Sequence, residues 1–101
     1  MTETLCRRIK LKPNSIERVR EWARTLTTRK EEALETLRNE GVAIESVFLE
    51  SCPDGDYLIY YMKAKDFNKV KEVFDKSTLP IDVYHRKFKQ ETMIESSGLE
   101  L

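Results

Sequence analysis

A chain of 101 residues, 40% apolar and 36% charged, is long enough for one hydrophobic core and too short for two, so a single α+β domain over residues 1–101 is expected. Eighteen basic residues cancel eighteen acidic ones, so bulk charge favours neither nucleic acid nor an anionic membrane as partner. No apolar run approaches the ~20 residues of a membrane span, the polar start Met1-Thr2-Glu3-Thr4 is not an export signal, and a cytoplasmic protein is expected.

Leu5 to Leu11 alternates as a strand does, with Leu5, Ile9 and Leu11 on one face and Arg7 intruding there. Cys6, Arg8 and Lys10 take the other face. Asn14 with Glu17 resembles a capping box that opens a helix, whose stripe is Ile16, Val19, Ala23 and Leu26. Trp22 falls at the border of that stripe, as a partly exposed packing residue. Ala33, Leu34 and Leu37 resume the stripe, and Gly41 ends it. One unbroken helix would run roughly 39 Å against about 26 Å for an eight-residue strand. A break at Thr27-Thr28 is therefore expected, with Thr28 and Glu31 as a second capping box.

Val42–Cys52 and Tyr57–Ala64 read as strands joined by the turn residues Pro53-Asp54-Gly55-Asp56. Asp66 caps a further helix with the stripe Phe67, Val70, Val73 and Phe74. After Pro80 comes another, with Ile81, Tyr84 and Phe88 on one side and Asp82 spaced to pair with Arg86. Leu99-Glu100-Leu101 reads as the start of a last strand.

This order of elements is that of a ferredoxin-like antiparallel sheet with helices on one face. The uncovered face should then be polar, yet both faces of Val42–Cys52 and of Tyr57–Ala64 are apolar. A homodimer, with two sheets packed face to face, satisfies that pattern. A monomer with the helix after Pro80 folded beneath the sheet also satisfies it.

The segments Arg8-Ile9-Lys10-Leu11-Lys12-Pro13, Glu45-Ser46-Val47-Phe48-Leu49-Glu50, Gly55-Asp56-Tyr57-Leu58-Ile59-Tyr60-Tyr61-Met62 and Pro80-Ile81-Asp82-Val83-Tyr84-His85 resemble a family of small uncharacterised prokaryotic proteins. That family is similar to the dimeric α/β-barrel, or ferredoxin-like, superfamily. The resemblance extends to about Thr92 and implies a homodimer without an established activity. Superfamily members include quinol-forming monooxygenases, haem-degrading enzymes, sugar mutarotases and stress-responsive barrels, so membership selects no chemistry. This chain departs from its relatives at Leu101, where they continue into a longer apolar strand.

His85 is the sole histidine and the first candidate for proton transfer. The alternative is a surface ring, or one bonded to a backbone carbonyl. Arg8 and Lys10 point between the sheets if Ile9 and Leu11 meet the helices, with Glu45 and Glu50 as acidic partners; otherwise they lie at an exposed rim. Tyr57, Tyr60 and Tyr61 offer hydroxyls either to a small-molecule pocket or to plain packing. Two functional readings follow. In one, a cavity between sheet and helices binds or transforms a small organic molecule without a cofactor, with His85 and Tyr84 as the acid–base pair and Arg8, Lys10, Glu45 and Tyr60 at the ligand. In the other, the protein is a non-catalytic dimeric module that binds a ligand or another protein. One histidine and the cysteines Cys6 and Cys52, which form no Cys-x-x-Cys motif, make no metal site, and both thiols are expected to be reduced.

Overall fold

The computed structural model describes residues 2–99. Its elements in chain order are β1 (Glu3–Leu11), α1 (Ile16–Thr28), α2 (Lys30–Glu40), β2 (Val42–Cys52), β3 (Gly55–Ala64), α3 (Phe67–Lys76), α4 (Pro80–Thr92) and β4 (Met93–Gly98). The strands form one antiparallel sheet in the order β2-β3-β1-β4, the ferredoxin-like arrangement.

The pairing register sorts the side chains into two faces. Leu5, Arg7 and Ile9 stand opposite Met62, Tyr60 and Leu58, which in turn oppose Glu45, Val47 and Leu49. Ile9, Leu11, Leu58 and Tyr60 pack with Val19 and Trp22 of α1 and Phe88 of α4 in one buried cluster. Phe88 is fully buried and stacks on Trp22 with centroids 4.6 Å apart, so this pair anchors α1 to α4. Helix α4 therefore lies on the same side as α1, and the alternative of a helix beneath the sheet is not realised. The opposite face carries Cys6, Arg8, Lys10, Phe48, Tyr57, Ile59 and Tyr61, with Phe48 60% exposed.

The long helix does break where its threonines cluster. Thr25, Thr27 and Thr28 turn their hydroxyls back onto the carbonyls of Glu21, Ala23 and Arg24, which competes with the helical ladder. Neither expected capping box forms: α1 begins after Ser15 and α2 after Arg29, both without a side-chain cap. Asn14 instead takes a left-handed turn conformation at φ 63°, out of reach of a capping role. Gly41 ends α2 at φ 75°, where a side chain would strain the backbone.

Asp66 caps α3 as expected, accepting from the amides of Asn68 and Lys69, and Glu3 of β1 adds a bond to the amide of Phe67. Arg86 does not pair with Asp82. Its guanidinium donates to the carbonyls of Phe74 and Ser77 and so closes the α3 terminus. Strand β4 starts at Met93, earlier than Leu99: the segment is polar because it is a sheet edge, half of whose side chains need not be buried. Glu100 and Leu101 lie outside the described residues. Among the described residues no helix is long and apolar enough to cross a membrane.

Candidate functional site

A groove of about 630 Å³ runs along the helix-covered face of the sheet, lined by residues of α2, α3 and α4. Its floor is Leu5, Ile9, Tyr60 and Met62, and its apolar walls include Leu26, Leu37, Val70 and Phe74. Glu40, Glu45, Asp82, His85 and Lys89 add ionisable groups, with Arg7 on the β1 side. An apolar cleft with a few convergent polar groups is the usual form of a small-molecule site.

Tyr60 sits on the floor because strand alternation turns it, with Leu58 and Met62, towards the helices. It is 7% exposed, and its hydroxyl is buried without a hydrogen-bond partner among the described residues. An orphaned buried hydroxyl costs roughly 1–3 kcal/mol. Burial, followed by the nearby Glu45, raises its pKa well above the usual tyrosine range, so it is a neutral O–H.

His85 occupies the α4 face turned to Tyr60, the two rings edge-on with centroids 6.5 Å apart. Trp22 donates its indole N–H to His85 Nδ1 at 2.9 Å. Because an indole nitrogen only donates, Nδ1 must be the bare acceptor and Nε2 carries the proton. Burial, with a smaller contribution from Lys89, pushes the imidazole pKa down to about 3. His85 is thus a fixed, neutral N–H donor. It is not the near-neutral acid–base group that its free pKa suggests.

That property belongs to a carboxylate. Burial, then the charges of Glu45 and Asp82, raise Glu40 to about 8 against the pull of Lys89. Burial also raises Glu45, again opposed by Lys89, and lowers Lys89 in turn. Asp82 is held differently: it is 2% exposed and accepts the hydroxyls of Thr36 and Ser77, a clamp that ties α4 to α2 and to the loop after α3.

The groove therefore brings together His85, Glu45 and Tyr60 of the expected residues. Tyr84 is not among them. Its hydroxyl faces α1, accepting from Arg18 at 3.0 Å and donating to Thr25 at 3.3 Å, because the one-residue step between Tyr84 and His85 turns the two side chains apart. Arg8 and Lys10 follow Ile9 and Leu11 to the opposite face of the sheet by strand alternation. There Arg8 bonds to Glu50 at 2.9 Å and covers the Tyr57 ring at 3.6 Å, so of its two candidate partners Glu50 is the real one and Glu45 lies across the sheet. Trp22, expected at a border, is 4% exposed and is the residue that sets the histidine tautomer. Glu40 gave no signal in the sequence beyond its place just before Gly41.

The fold recurs in solved structures. A candidate antibiotic biosynthesis monooxygenase from Nitrosomonas europaea is 15% identical with a TM-score of 0.62, over 97% of this chain and 86% of that one. A dimeric protein of unknown function with a ferredoxin-like fold from Bacteroides fragilis is 18% identical, TM-score 0.57, over 97% and 92%. SnoaB, a cofactor-independent oxygenase from Streptomyces nogalater, is 13% identical, TM-score 0.55, over 99% and 92%. At these identities the likeness is one of fold alone. A comparison with curated proteins gives no match. A family model does match, over residues 2–101, and the chain belongs to that family, DUF6176, a family of unknown function.

Proposed function

We propose that this protein is a homodimer that binds a small organic molecule in the groove between its sheet and helices α2 and α3. One observation carries the reading: the Tyr60 hydroxyl is buried, unpartnered among the described residues and set in the floor of an apolar groove. A polar atom held at that cost is explained by a ligand that satisfies it. His85, whose tautomer is fixed by Trp22, lines the same groove and carries a neutral N–H at Nε2. Plain packing leaves the Tyr60 hydroxyl without a partner among the described residues and the groove of about 630 Å³ unfilled. Arg8 plays no part in this site, and the reading needs no cofactor.

The dimer rests on the face that the helices leave bare, where Ile44 and Phe48 are 48% and 60% exposed. A second copy covers such a face in the manner of two stacked sheets, and the Bacteroides fragilis neighbour is described as dimeric. The free thiols of Cys6 and Cys52 fit the reducing cytoplasm.

A thermal-shift screen of metabolites, with hits confirmed by native mass spectrometry, tests the ligand reading. A hit that stabilises the wild type and loses most of its effect in Tyr60→Phe supports it. Hits that bind both forms equally, or no hit from a broad screen, count against it.

A further inference from the structure

The polar groups of the groove divide into donors and a base. Tyr60 O–H and His85 Nε2–H are both neutral donors on one side of the cleft, with ring centroids 6.5 Å apart. Glu45 lies on the same sheet face one residue pair from Tyr60, since Glu45 opposes Met62 and Val47 opposes Tyr60. Such diagonal neighbours sit ~7–8 Å apart, within reach of long side chains. Two neutral donors on residues that line one groove suit an oxygen that gains negative charge during a reaction, and a carboxylate on the same sheet face suits removal of a proton.

We propose that the groove enolises a carbonyl compound: the carbonyl oxygen accepts from Tyr60 and His85, and Glu45 removes a proton from the adjacent carbon. This rests on the groove being a ligand site. In the step the C–H bond breaks and an O–H bond forms on Glu45. The released electron pair becomes the new C=C bond, and the carbonyl π pair moves to oxygen as an enolate held by the two donors. Return of the proton to carbon restores the ketone, or delivery to another carbon isomerises it, so no oxidant or reductant is consumed. Glu40 supports the base. With a pKa of about 8 it stays largely protonated at neutral pH and does not oppose the charge on Glu45. Burial raises the pKa of Glu45, which strengthens it as a base, and Lys89 opposes that rise. The substrate class is an apolar ketone or aldehyde with an acidic α-hydrogen, since the walls between these groups are Leu37, Val70 and Phe74.

The test uses β-tetralone, a compact aryl ketone, in deuterated buffer. Proton NMR follows loss of the α-hydrogen signals, and fluorescence of Trp22, the sole tryptophan, follows binding in the same samples. Wild-type protein is expected to accelerate exchange over buffer. Glu45→Gln should lower the rate about 100-fold or more while binding persists, and Tyr60→Phe should lower it about 10- to 100-fold. Far-ultraviolet circular dichroism confirms that each variant is folded. Binding without exchange overturns the proposal and leaves the ligand reading intact. Exchange that survives Glu45→Gln but is lost in Lys89→Met shows an amine route and overturns it as well. Absence of both binding and exchange overturns the proposal, and with a blank metabolite screen the ligand reading falls too.

Discussion

Replacing Glu40 by glutamine isolates the cost of one buried carboxyl. In the folded chain its pKa stands near 8, against 4.5 when it is exposed. Between those values the folded state holds a proton that the unfolded state has released, so stability falls as pH rises through the window. The slope reaches about 1.4 kcal/mol per pH unit, which caps the whole effect at roughly 5 kcal/mol. Solvent and side-chain relaxation round the carboxylate bring the expected value to about 2–3 kcal/mol. Glu45 of β2 and Asp82 and Lys89 of α4 face the same carboxyl and remain in both proteins, so the comparison reads the ionisation of Glu40 alone. Urea titrations followed by Trp22 fluorescence at about pH 4 and about pH 9 measure it. Glu40→Gln should be close to wild type at the lower pH and more stable by the stated amount at the higher one. A difference that does not grow with pH would refute the burial argument.

His85 has the opposite sign: its folded pKa near 3 lies below the free value of 6.5, so its contribution is lost as pH falls through that range. Wild-type stability should drop on acidification from about pH 6.5, and His85→Gln should flatten that limb in the same urea titrations. Tyr60→Phe removes an orphaned hydroxyl and should raise stability by about 1 kcal/mol in denaturation while weakening ligand binding, a combination that a packing role does not produce. Phe48→Asp, on the bare sheet face, should convert a dimer to a folded monomer in sedimentation, whereas Arg24→Asp should leave the assembly unchanged. Phe88→Ala empties the fully buried anchor between α1 and α4 and should cost about 3–5 kcal/mol by chemical denaturation.

The fold was legible because strand alternation and the helix stripes are one-dimensional signals. Ile9, Leu58 and Phe88 mark their own buried faces, Asp66 and Gly41 mark their own helix ends, and both capping and positive φ are local. The two misread capping boxes at Asn14 and Thr28 show the limit of local reading. The spacing was right, but a left-handed Asn14 and the back-bonded threonines fix the chain differently. Asp82 could be spaced for Arg86 on the helix and still bond to Thr36, forty-six positions away, because burial selects the partner.

The site was half legible. Alternation placed Tyr60 and Glu45 on faces, but only the register shows that these faces are the same one, and that Arg8 is on the other. His85 was visible as a residue type, while its protonation was not: the Trp22 indole bond and its burial depend on how α1 crosses α4. Tyr84 and His85 are neighbours in sequence and face different helices, a separation of about 100° that one residue of helix imposes and that the hydroxyl contacts to Arg18 and Thr25 confirm. Glu40 carries no motif, so its shifted titration is a property of packing alone.

A ligand bound in the groove as proposed would meet a neutral His85 that donates from Nε2. As the only histidine, its ring gives a single set of signals in a nitrogen-15 imidazole spectrum. A neutral Nε2–H ring is expected from about pH 5 to about pH 8. The Nε2 resonance is expected to move when a hit from the metabolite screen is added, and Nδ1, bonded to Trp22, to move less. A ring that titrates near its free value, or an Nε2 signal indifferent to a bound ligand, would contradict this reading.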